Sequence, residues 1–155
     1  MPEMTRILLF LIALLPLSAL CSLPLQMTLS DMATEADHVL VGHVVGVDMV
    51  SGSGRPITDG HAQTGPDSSN VIRLHVSIDE TLTTTAAQVP EILVLPLDPL
   101  MHYSLGQIKS AHDADSTPRL LLLKGANFSA IRPGVFFRSL LDKDEVLRIR
   151  AAVHR

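Results

Sequence analysis

The chain is 155 residues long with a formal net charge of −4, one cysteine, one tyrosine and no tryptophan. An acidic chain this poor in aromatic side chains offers neither a basic phosphate-binding face nor a stacking platform for bases or sugars. No nucleic-acid partner is expected.

Residues Met1 to Cys21 read as an export signal. Arg6 supplies a short basic region, and fourteen uncharged residues follow from Ile7 to Leu20. A membrane-spanning helix needs about 20 apolar residues. The shorter run suits a signal-peptide core, and it lacks the polar stripe of a globular helix. Leu17-Ser18-Ala19-Leu20-Cys21 resembles a bacterial lipobox, with Leu20 departing from the small residue usual before an acylated cysteine. Cys21 is therefore the candidate lipidation site, and a lipid there would be the chain's membrane contact. With no second cysteine the protein makes no internal disulfide, whatever compartment it occupies.

Residues 22–155 are one domain's worth of chain, able to bury roughly two-thirds of their extended surface. Charge is uneven along them. Leu23 to Pro118 holds three basic and twelve acidic residues, whereas Arg119 to Arg155 holds eight basic and three acidic. Opposite charges facing one another across one sheet account for such a split.

The first element, Leu29 to Asp37, predicts a short helix capped by Ser30 or Asp31, with Leu29, Met32, Ala33 and Ala36 on one face. His38 to Val47 is valine-rich and predicts a strand. Gly42 and Gly46 would share a face with Leu40 and Val44, as expected where a strand bends tightly. Residues 51–70 are glycine, proline, serine and aspartate without apolar period, which predicts a long mobile loop. Val71 to Ile78 alternates, with Ile72, Leu74, Val76 and Ile78 opposite Arg73, His75 and Ser77. Val89 to Leu97 predicts a strand with Pro90 and Pro96 at its ends or on an edge. Residues 98–118 show no period and read as a second long excursion. Arg119 to Lys124 and Gly134 to Leu141 predict two more strands. Residues 145–153 fit a helix through Val146, Ile149 and Val153, or a strand through Leu147, Ile149 and Ala151; the strand is preferred.

No connection carries a convincing crossover helix, so a mainly β architecture follows, either a sandwich or a small antiparallel, partly closed barrel with a short N-terminal helix. The glycine-interrupted first strand favours the barrel. The run Met32 to Val45, a helix ending in Ala36-Asp37 that enters Val39-Leu40-Val41-Gly42-His43-Val44, resembles small exported bacterial proteins of unassigned function. It is also similar to the first strand of netrin-like domains, the fold of tissue inhibitors of metalloproteinases, related to oligonucleotide-binding barrels. The resemblance implies a barrel and no activity. Those inhibitors chelate metal through a disulfide-held N-terminal cysteine, and Cys21 has no partner.

Seven histidines raise a metal hypothesis. None forms a ligand motif such as HxH or HExxH. His43 and His75 are the candidates, since they would approach one another if their strands pair. No nucleophile elbow, phosphate loop or paired catalytic carboxylates appear, because Asp79 and Glu80 point to opposite faces of a strand. No catalytic residue and no cofactor are expected. The sequence favours an exported, non-enzymatic binding or structural module acting on a protein or envelope component. A small secreted hydrolase or metal-dependent enzyme, with residues converging only in the fold, is the alternative.

Overall fold

A computed structural model describes residues 27–153; the export-signal reading and Cys21 lie outside them. Helix α1 (Leu29–Glu35) leads into strand β1 (His38–Val50). Then come β2 (Pro56–Ile57), β3 (Val71–Thr83), β4 (Ile92–Pro96), α2 (Leu105–Ala114) and β5 (Arg119–Lys124). The chain ends with β6 (Ser129–Ala130), β7 (Phe137–Arg138), a 3-10 turn at Leu140–Asp142 and α3 (Lys143–Val153). All strand pairs are antiparallel, in the order β4-β3-β1-β5-β6, with β2 added to β1 and β7 to β5. No pairing joins β4 to β6 or β7 among the described residues, so the sheet is not closed. None of the described helices is long and apolar enough to cross a membrane.

The core follows from β5. Its four leucines alternate between two buried faces, which is why Arg119–Lys124 reads as a continuous apolar run. Leu120 and Leu122 meet Met32, Ala33, Ala36, Val39, Val41 and Val146, so α1 and α3 cover this first face. Leu121 and Leu123 meet Leu40, Leu74, Val76, Leu93, Leu95, Phe128 and Phe136 on the second face. That face continues to Met49, Ile72 and Leu105, where α2 lies across the far end of β1 and β3. The alternation expected of β3 is present, with Ile72, Leu74 and Val76 all within 1% of full burial. Pro96 ends the edge strand β4, where a missing amide costs no pairing.

Several expectations need correction. The cap of α1 is Thr28, whose hydroxyl oxygen accepts from the Asp31 amide at 3.1 Å. β1 carries register shifts between Val41 and Gly42 and between Val44 and Gly46, leaving Val45 as an extra residue. This bulge turns Gly46 and Val47 over. Gly46 therefore faces the His75 ring on the first face, whereas Gly42 points into the second, so the two glycines do not share a face. Residues 134–141 form only two-residue β7 and then the 3-10 turn, and residues 145–153 belong to helix α3, not a strand. The helix prevails because Val146 and Arg150, one turn apart, both bury against α1. Arg150, counted as surface in an alternating pattern, donates from Nη1 to the carbonyls of Ala33 (3.1 Å) and Ala36.

Candidate functional site

The two long connections meet each other. Residues 51–70 were expected to be mobile, yet they contain β2, and Thr64 is 2% exposed. Five hydrogen bonds tie them to the second connection and the start of α2. The Thr64 amide donates to Tyr103 O (2.9 Å), and its hydroxyl donates to Met101 O (2.5 Å). The Tyr103 amide donates to Thr64 Oγ1 (3.2 Å), the Leu105 amide to Ala62 O (3.0 Å) and the Gly106 amide to Gly60 O (2.9 Å). Ile57, Ala62 and Tyr103 pack on Met49, Ile72 and Leu105, so the junction has its own apolar footing. Polar composition hid this because the loop's amides and hydroxyls are satisfied by the other loop, not by a regular ladder.

Between these segments lies an open concavity of about 650 Å³ lined by Gly60, His61, Gln63, Ser104, Gly106, Gln107 and Ser110. Ser104 caps α2, accepting from the Gln107 amide at 3.3 Å. Gly106 lies close against the other connection, since a β-carbon there would sit 3.1 Å from Gly60 O, tighter than an ordinary contact. The first amides of α2 are thus spent on protein acceptors, which leaves side-chain amides and hydroxyls as the free polar groups. His61 is the single ionisable side chain of the lining. The one sequence signal for this site was the unusual length of two unpatterned connections.

The two candidate metal ligands are not brought together. β1 and β3 do pair, but His43 lies opposite Ser77 and His75 opposite Gly46. Each imidazole takes its own carboxylate. His43 Nδ1 donates to Asp79 Oδ2 (2.9 Å), and His75 Nε2 donates to Asp48 Oδ2 (3.0 Å). Among the described residues no three histidine, cysteine or acidic side chains are grouped to hold a metal ion. His43 and Asp79 do line a second concavity of about 680 Å³ with Val41, Glu80, Ser116, Pro118 and Leu140. An imidazole oriented by a carboxylate is the base half of a hydrolytic triad. No nucleophile hydrogen-bonds to it among the described residues. Buried His38 has a structural role: Nε2 donates to Gly125 O (2.9 Å), Nδ1 accepts from Thr84 (2.8 Å), and the ring stacks on Phe128.

Asp48 also receives Arg73 in a two-pronged pair, Nε to Oδ1 at 2.8 Å and Nη2 to Oδ2 at 2.6 Å. The Arg73 hydrogen bonds hold the Asp48 carboxyl below its ordinary value of 3.8; partial burial opposes them and His75 adds to them. A depressed folded-state value means the pair stabilises the fold above the unfolded value and stops doing so as pH falls through the folded one. Acid titration of stability should therefore show a component below about pH 4 that Asp48→Asn removes. The carboxylate is 38% exposed, so this component is expected to stay under about 1 kcal/mol. No protein-family model, no curated protein and no solved structure matches the chain.

Proposed function

We propose that the chain is an exported, non-enzymatic binding module that presents the junction of its two long connections to a protein or another component of the cell envelope. The observation that carries this reading is the ordered polar connection 51–70, stitched to 101–106 by five hydrogen bonds around one concavity. Ordering a long polar segment costs backbone entropy that its small apolar area does not offset by itself. Loops held rigid on a scaffold are where recognition groups commonly sit. The lining favours recognition over reaction, because apart from the single His61 its side chains are amides and hydroxyls, which exchange hydrogen bonds with a ligand but do not carry a proton at neutral pH. It therefore suits neutral, hydrogen-bonding groups. The register shifts of β1 and the close approach at Gly42 are what speak for the netrin-like resemblance, as a proposal about fold.

A tagged mature domain should capture its component from an envelope extract. Ser110→Arg, which places a long cation in the concavity, should abolish that capture; Arg148→Ala, outside the junction, should leave it intact. Capture unaffected by Ser110→Arg would remove the junction from the function. The hydrolase alternative rests on His43, Asp79 and Ser116 around one concavity. It requires ester or peptide turnover that is lost in His43→Ala.

A further inference from the structure

The two most exposed leucines of the described chain are unexplained by the fold. Leu141 is 93% exposed and Leu100 65%, and Leu140, beside Leu141, adds 41%. Leu140 and Leu141 protrude on the 3-10 turn, with Pro118 on the wall of the same groove. Their exposure is not fraying. The Ser139 hydroxyl accepts from the Leu141 amide (3.2 Å), the Asp142 amide donates to Ser139 O (3.1 Å), and Lys143 pairs with Glu80 at 3.0 Å just beyond. The turn that carries the two leucines is closed by hydrogen bonds, and it leaves both of them exposed.

The place where the chain enters the fold gives these leucines an occupant. Met27 is fixed by Arg138, whose Nη2 donates to Met27 O at 2.6 Å, two residues before Leu140. Upstream of Met27 lies the apolar run Ile7 to Leu20, separated from it by the six residues Cys21 to Gln26. Fully extended, those six residues span about 20 Å. Any hold on a bilayer through that run, or through an acyl chain on Cys21, therefore keeps the Met27 side of the fold close to the lipid. Leu140 and Leu141 are on that side, near the level of Val41 along β1, whereas the loop junction packs on Met49 at the strand's far end.

We infer that the Leu140–Leu141 turn is a lipid-contacting tip, which rests on the bilayer and directs the loop junction away from it. The inference rests on the export reading for its setting, and within it on a chain held at the membrane through Cys21 or the apolar run. The cations nearest the tip are paired, Arg119 with Asp115 and Lys143 with Glu80, while Asp142 and Asp144 have no ion pair among the described residues, so the contact is made by the two leucines. It needs no anionic lipid.

The absence of tryptophan from the chain makes a clean test. Leu141→Trp and Leu100→Trp each introduce a single fluorophore at an exposed leucine, one on the tip and one in the second connection. The full chain is reconstituted into phosphatidylcholine vesicles with brominated acyl chains. Trp at 141 should shift to the blue and lose most of its emission, while Trp at 100 keeps the spectrum it has in buffer. Vesicle-bound chain with an unquenched 141, or with equal quenching at both positions, would overturn the inference. A 141 signal that responds to envelope protein but not to vesicles would assign the tip to a protein partner and overturn it as well. Recovery of the chain in the cytoplasmic fraction of cells would sink the export reading separately, whatever the vesicles show.

Discussion

Gly42→Val should lower the unfolding free energy by about 3 kcal/mol, at the upper end of what overpacking a core costs. A β-carbon at Gly42 would fall on the Ser77 carbonyl oxygen across the β1–β3 pair, with Val76 Cγ1 at 3.1 Å and Leu121 Cδ1 at 3.3 Å. The obstacle is backbone, so no change of rotamer relieves it. The next bulge moves Gly46 to the other face, where a β-carbon meets only the His75 side chain at 3.7 Å. Gly46→Ala is the matched control and should be nearly neutral. Urea unfolding of both variants checks the pair; equal midpoints for Gly42→Val and wild type would mean that β1 and β3 are not held this closely.

Arg150→Ala should cost about 2–3 kcal/mol, because it strips the donor from two carbonyls at the end of α1. The α1 helix is seven residues long, too short to persist without tertiary support. Arg150 supplies that support from α3, at 9% exposure. Burial pushes the guanidinium's pKa down, with Asp37 opposing, so the group gives up hydration to hold this position. Arg150→Met preserves the packing of the stem and should recover part of the loss, whereas Arg148→Ala, on the exposed side of α3, should have little effect. Thermal unfolding followed by circular dichroism would separate the three; an Arg150→Ala variant as stable as wild type would contradict the helix–helix contact.

What could be read from the sequence was whatever depends on local period. The alternation of Ile72, Leu74 and Val76, the double-sided burial of Leu120 to Leu123 and the apolar stripe of α1 all repeat at the spacing their elements require. What could not be read depends on partners remote in sequence. A bulge at Val45 inverts the side-chain parity of β1 after Val44, so strict alternation puts Gly46 on the wrong face. Residues 145–153 satisfy both periods, and only packing on α1 decides between them. Helix α2 leaves no apolar period in the sequence because its one fully buried side chain is Leu105, at its first position. The junction of the two loops left no periodic trace at all, since its bonds link Gly60, Ala62 and Thr64 to residues about forty positions away. The histidines show the same limit: the sequence brings His43 and His75 together only if their strands pair, and the strands do pair, but their register and their separate aspartates keep the two apart.

Amide hydrogen exchange at Thr64, Leu105 and Gly106 tests most directly whether the loop junction is a built site. These three amides close the junction by donating to Tyr103, Ala62 and Gly60. They should exchange only on global unfolding or on a large sub-global opening, with protection comparable to Val76 in the central strand pair. Exchange of all three near unfolded-chain rates, with Val76 still protected, would mean that residues 51–70 are a mobile loop and that the proposed site does not exist before binding.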